Sequence, residues 1–314
     1  MFRVLTVLLA ALALAPSAFA GGPNPAGFQG GVGALTPGSP IRYVALGSGA
    51  DTALAAVGRS DGVVLKTLGL YGSWGIPRIG TDAVNGSISR DGRTLVLAGT
   101  GIQSPSNFTI VDTQTLKVRD TVRLEGQYAF DALSPNGMRM YLIQYAAQDN
   151  SRYVVRAYDL GAHKLLPGRI ADRTQKSWIM QGFANARTMS SDGRWVYTLY
   201  INPTGYPFVH ALDTVNGVAH CTGVPWTGSN TEPWKMRLAL RDGGHRLAVN
   251  WVTGGTYLSM DTSTWKLSYA HPGGFPWLWV GLGAGAGAAL LTAAAVLIAR
   301  RRRPGALQVA VGSG

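Results

Sequence analysis

Residues 134–142 read Ser134-Pro135-Asn136-Gly137-Met138-Arg139-Met140-Tyr141-Leu142, a tight turn that runs straight into an apolar strand. Asn-Gly and Asp-Gly tolerate the positive φ that a short hairpin needs, so the phrase marks a strand start by a physical requirement. It recurs as Ser89-Arg90-Asp91-Gly92-Arg93-Thr94-Leu95-Val96-Leu97 and as Ser190-Ser191-Asp192-Gly193-Arg194-Trp195-Val196-Tyr197. A weaker copy is Leu240-Arg241-Asp242-Gly243-Gly244-His245-Arg246-Leu247-Ala248-Val249. The turn residue stands at 91, 136, 192 and 242, in steps of 45, 56 and 50.

A second phrase follows each of these turns. Its clearest copy is Thr109-Ile110-Val111-Asp112-Thr113, with its aspartate repeated at 159, 213 and 261 in steps of 47, 54 and 48. The two markers lengthen and shorten together, which identifies an internal repeat of about 50 residues. One period holds four strand signals, at 128–133, 138–146, 152–159 and 164–170. Four antiparallel strands per repeat predict an all-β chain, a β-propeller whose blades stack radially. A degenerate blade begins near Arg42, so the count is five, or six if the longest step conceals another. A β-sandwich would not repeat at this period. The Gly/Pro-rich lead-in at 21–40 is expected to donate a closing strand to a propeller over 41–270.

Ser-Pro-Asn-Gly at 134–137, Asp-Gly-Arg-Trp-Val-Tyr at 192–197 and Ile-Val-Asp-Thr-Gln-Thr-Leu-Lys-Val at 110–118 resemble YVTN-type, WD40-like propeller repeats of bacterial and archaeal surface proteins. The resemblance implies a propeller over most of 41–270. Similar propellers serve as adhesive or binding modules, as lactonases and as subunits of redox enzymes. The matching residues are turn and strand residues, so no catalytic role carries over.

Both ends of the chain are apolar, for different reasons. Arg3, an apolar run over 4–14 and Ala18-Phe19-Ala20 read as a signal peptide over 1–20, too short to span a bilayer. Residues 277–299 hold no charge over 23 positions, roughly 34 Å of helix at about 1.5 Å per residue. Arg300, Arg301, Arg302 and Arg303 follow, which keeps the tail over 300–314 cytoplasmic and the repeat domain outside. The expected location is thus the cell membrane, single-pass, with the lipid bilayer engaged by one helix. Gly281 and Gly285, like Gly283 and Gly287, stand at a small-xxx-small spacing that suits a helix homodimer. The linker over 271–276 is at most about 20 Å long when extended, which keeps the propeller against the membrane.

Between the two ends stand 23 basic and 16 acidic residues, a diffuse net charge of +7. That balance suits an anionic envelope polymer as well as a plain soluble surface, and the compartment argues against nucleic acid. Cys221 is the single cysteine, so no intramolecular disulfide forms. The five histidines show no metal-ligand spacing and no G-x-S-x-G elbow appears, so neither a metal, a cofactor nor a serine hydrolase is indicated. The recurring aspartates read as turn caps in preference to calcium ligands.

Five residues before the turn positions stand Gly86, Asp131, Arg187 and Arg237, on or beside the innermost strand of each blade. Two readings follow: Asp131, Arg187 and Arg237 bind an anionic group at one mouth of the channel, or they form ion pairs between blades. Trp226 and Trp234 flank a polar loop and are read either as an aromatic platform for sugar or peptide, or as rim packing. The expected function is a recognition or scaffold module for an envelope protein or polymer near the membrane. A lactonase-like hydrolase with its site in the channel is one alternative, and a signalling subunit paired through its helix is another.

Overall fold

The computed structural model describes residues 26–80, 86–101, 103–146, 149–174, 180–202, 206–229 and 231–269. The leader at 1–20, the linker at 271–276 and the 277–299 helix lie outside the described residues. So do Gly281, Gly283, Gly285, Gly287 and Arg300, Arg301, Arg302, Arg303. Among the described residues no helix is long and apolar enough to cross a membrane.

The chain begins its pairing in the lead-in, where β1 (Gly27–Phe28) precedes five antiparallel sheets built in chain order. The first sheet is β2 (Ile41–Ser48), β3 (Asp51–Gly58) and β4 (Val64–Leu70). The second is β5 (Trp74–Pro77), β6 (Thr94–Gly99), β7 (Ser106–Asp112) and β8 (Lys117–Leu124). The third is β9 (Tyr128–Leu133), β10 (Arg139–Ala146), β11 (Asp149–Asp159) and β12 (Lys164–Leu165), with β13 (Met180–Gln181) paired to the start of β11. The fourth is β14 (Phe183–Met189), β15 (Trp195–Ile201), β16 (Phe208–Asp213) and β17 (Val218–Gly223). The fifth is β18 (Met236–Arg241), β19 (Arg246–Trp251), β20 (Thr256–Asp261) and β21 (Leu267–Tyr269).

Each sheet is an up-and-down meander, and successive sheets pack face to face around their first strands. This is a β-propeller. Apolar clusters fill the spaces between neighbouring sheets: Leu54, Leu95 and Val111 between the first and second, Phe108, Phe130 and Leu142 between the second and third. Ile143, Val155, Val196 and Tyr200 lie between the third and fourth. Strands sandwiched this way are buried on both faces, which is why β6 and β9 are buried at every residue instead of alternating.

The repeated phrases are turn chemistry. In the first, Ser89 Oγ lies 2.5 Å from Asp91 Oδ1, Asp91 accepts the Arg93 N–H at 3.0 Å, and Ser89 Oγ accepts the Thr94 N–H at 3.0 Å. The same three contacts recur at Ser134/Asn136 and Ser190/Asp192. Gly92, Gly137 and Gly193 all stand at positive φ. Asp112, Asp159, Asp213 and Asp261 close the hairpin between the third and fourth strands of their blades, each accepting two backbone N–H groups. Four residues beyond these aspartates the backbone is left-handed, at Leu116, His163, Gly217 and Trp265. Trp265 is therefore a turn residue, between β20 and β21.

The first sheet departs from the expected four strands, having three. Its inner edge is taken by the lead-in: Ala34 bridges Tyr43 with N–H···O distances of 2.8 Å both ways, and the Gly30 N–H reaches Ala45 O at 2.7 Å. Just before this, β1 pairs with β5, Gly27 opposite Pro77. The lead-in thus donates backbone pairing to the inner edges of the first two blades.

Candidate functional site

Two inner strands carry a bulge, and the bulged residue is polar in both. Pairing of β9 with β10 skips Asp131, and pairing of β14 with β15 skips Asn185. An extra residue bends the strand and re-aims its side chain. Asp131 turns from the third blade to the fourth, where Arg187 Nη2 donates to its carboxylate and Arg187 Nη1 to its backbone carbonyl. Both side chains are about 1 % exposed, and Arg187 Nε donates to Thr198 Oγ1 at 3.0 Å. Asn185 turns to the fifth blade and donates to Pro233 O and Met236 O, both at 3.1 Å. The bulges make polar clasps that tie the third blade to the fourth and the fourth to the fifth.

Arg187 opens a buried polar row across the fourth blade. Cross-strand register sets Arg187 opposite Thr198, Thr198 opposite His210, and His210 opposite Cys221. His210 Nδ1 lies 3.4 Å from Cys221 Sγ, and the Cys221 N–H donates to Asp172 Oδ2 at 2.8 Å. Burial holds the His210 imidazole neutral, its pKa lowered to about 4. Burial, with Asp172 nearby, pushes the Cys221 thiol up to about 12. A nucleophilic cysteine needs a lowered pKa and a base needs one near the working pH, and burial moves Cys221 and His210 the other way. Asp112, Asp159, Asp172, Asp192, Asp213 and Asp261 are all held below the ordinary aspartate range, by hydrogen bonds that outweigh burial where burial opposes them. A general acid needs the opposite shift.

After β5 the chain leaves the sheet, and Ile79, 1 % exposed, packs among Ala129, Ala132 and Ala184 of the third and fourth blades. A Cβ on Gly80 would meet Asn185 O at 2.3 Å, and Gly80 stands at φ +69°. Gly80→Ala is therefore expected to destabilise the fold by at least about 2 kcal/mol, read by denaturant titration. The chain rejoins the sheet at Ile88, which bridges Leu95, and Arg90 Nε donates to Ser191 O of the fourth blade at 2.5 Å.

Beside the Ser-x-Asp-Gly turns lies a cavity of about 450 Å³. Val32, Leu35 and Pro37 of the lead-in line it, with Ile88, Pro135 and Met189 from three different blades. It is largely apolar, with Ser89, Arg90, Ser190 and Ser191 as its polar part.

The residues singled out by the repeat fall apart into separate roles. Asp131, Arg187 and Arg237 all lie on inner strands, but the first two form the buried inter-blade pair. Arg237 Nη1 instead donates to Trp234 O at 3.1 Å and Met236 O at 2.8 Å. Trp226 and Trp234 do not share a platform either. Trp226 meets Trp251 and Tyr257 edge to face, at centroid distances of 5.9 and 5.6 Å, whereas Trp234 stacks on Phe183 at 6.5 Å. Asn185, Thr198, His210 and Asp172 were not expected. Counting from both repeat markers would have found Thr198 and His210, because Arg187, Thr198, His210 and Cys221 occupy matching positions on successive strands.

No family model matches the chain, and no curated protein matches it. Among solved structures it is similar to Kuenenia stuttgartiensis hydrazine synthase, at 14% identity and a TM-score of 0.47, covering 72% of this chain and 63% of that one. It is also similar to the β-propeller domain of Myceliophthora thermophila Cps50 (Swd1), at 12% identity and a TM-score of 0.46, covering 78% of this chain and 73% of that one. TolB from Acinetobacter baumannii follows at 15% identity and a TM-score of 0.39, covering 74% of this chain and 54% of that one. The chain thus spans 63% of the hydrazine synthase chain it matches.

Proposed function

We propose that this chain is a recognition module that presents the apolar mouth of its propeller axis to a protein partner outside the cytoplasm. The observation that carries the reading is the 450 Å³ cavity assembled from the lead-in and three blades. Concave apolar sites with a few polar groups at the edge are where proteins accept a ligand or an anchor side chain. The buried His210 and Cys221 support binding over hydrolysis, since burial moves both away from the values a base or a nucleophile needs. In this reading the 277–299 segment holds the propeller at the membrane, with its 300–303 arginines inside.

The test uses the full chain in its native membrane, with a photo-crosslinking residue at Val32, half exposed beside the cavity. A discrete adduct is expected, lost when Leu35→Glu places a charge in the mouth while thermal stability holds. Adducts unchanged by Leu35→Glu would sink the proposal. So would turnover of lactone or ester substrates by the purified chain.

A further inference from the structure

The cavity beside the repeated turns is lined by one repeat position taken from three blades. In the Ser-x-Asp-Gly phrase and its Asn form, the serine and the acid or amide bond each other and the glycine supplies the positive φ. Only x is left to vary. That position is Arg90 in the second blade, Pro135 in the third and Ser191 in the fourth, and all three line the cavity. The turn fixes where these side chains stand, and their identity fixes what they accept.

Arg90 is held in place. Its Nε donates to Ser191 O at 2.5 Å, and its stem lies on Gly193, where a Cβ would come within 3.0 Å of Arg90 Cβ. Its Nη groups keep their donors, since no carboxylate among the described residues pairs with Arg90. The hydroxyls of Thr36, Thr188 and Ser191 line the same cavity and make no hydrogen bond among the described residues. Val32, Ile88, Leu133 and Met189 supply the apolar wall.

A guanidinium with its fork unused, at the edge of an apolar cavity, selects a carboxylate joined to an apolar group. The hydroxyls add polar partners along the wall. They suit the N–H and C=O of a peptide, whereas an acyl chain has nothing to offer them. A carboxylate, an apolar side chain and an amide within one residue are what the C-terminus of a polypeptide presents.

We propose that this cavity takes the C-terminal residue of a protein partner, its apolar side chain inside and its α-carboxylate on the Nη groups of Arg90. The proposal rests on the recognition reading given above and names the chemistry that is recognised.

The experiment is calorimetric titration of the full chain in lipid nanodiscs at low ionic strength, with empty nanodiscs subtracted. The probes are acetyl-Gly-Ser-Phe-Leu with a free carboxylate, the same peptide as its C-terminal amide, and hexanoate. Saturable binding of the acid is expected, about tenfold or more tighter than the amide or hexanoate. Arg90→Gln keeps an N–H at the place of Nε and removes the Nη fork. It is expected to weaken the acid by about tenfold and leave the amide unchanged, at the same melting temperature. Equal affinity for acid and amide overturns the proposal, as does an Arg90→Gln variant that still prefers the acid. Hexanoate binding as tightly as the acid assigns the cavity to acyl chains and overturns it too, and so does a lack of saturation up to roughly 10 mM peptide. A Val32 adduct lost in Leu35→Glu but kept in Arg90→Gln leaves the recognition reading standing and overturns this one, so the two failures are told apart.

Discussion

Replacing Arg187 with alanine is expected to lower the unfolding free energy by about 3–5 kcal/mol, the usual effect of stranding one partner of a buried ion pair. Asp131 would keep its carboxylate and its backbone carbonyl in the interior with no donor, since Arg187 serves both. Thr198 Oγ1 would lose its donor as well. Urea titration followed by tryptophan fluorescence measures the effect. Arg187→Lys is expected to rescue only part of it, because a point charge cannot reach the carboxylate, the carbonyl and the hydroxyl together. Removing Asp131 as well should cost less than the sum of the two single changes, for the buried charge is then gone. A loss below about 1 kcal/mol in Arg187→Ala would show that the clasp does not hold the third and fourth blades together.

Stability is expected to fall by about 3 kcal/mol between pH 6.5 and 4, through His210. Its imidazole is neutral in the fold with a pKa near 4 but protonates around 6.5 once unfolded. In that window the unfolded chain binds more protons, so stability rises with pH and drains away as pH falls. Burial is the main cause; Arg187 adds to it, while Asp131 and Asp172 oppose it. A His210→Leu variant should lose this slope in denaturant titrations run across the range. Persistence of the slope would assign it to another group. The turn aspartates act at lower pH: Asp112, Asp159, Asp213 and Asp261 have folded pKa values below the ordinary 3.8. Their contribution is complete above about pH 5 and is lost as pH falls through and below that value. Acid unfolding should therefore show two stages, separable in the histidine variant.

Much of the fold is legible because turns are local. Asp-Gly and Asn-Gly betray a positive φ, and the serine two residues earlier completes the same turn in three blades. The strands expected at 128–133 and 138–146 appear as Tyr128–Leu133 and Arg139–Ala146. Blade one was harder to read, since its inner edge is supplied by residues 30–34 and not by a strand of its own. The inner positions were also found by counting from the turn. Their use was not, because a β-bulge shifts which way a residue points without leaving a mark in composition.

From the sequence alone follow the propeller class, the repeat of about 50 residues, the chemistry of every turn marker and the placing of Asp131, Arg187 and Arg237 on inner strands. Each depends on backbone preference or on spacing along one chain. Tertiary structure alone decided that Asp131 meets Arg187 while Arg237 turns to its own loop, and that Ile79 and Gly80 pack against the third and fourth blades. The Asp131–Arg187 pair joins residues 56 positions apart on different blades, and it depends on where a bulge aims the first of them. Contact between blades is geometry, and no local preference encodes it.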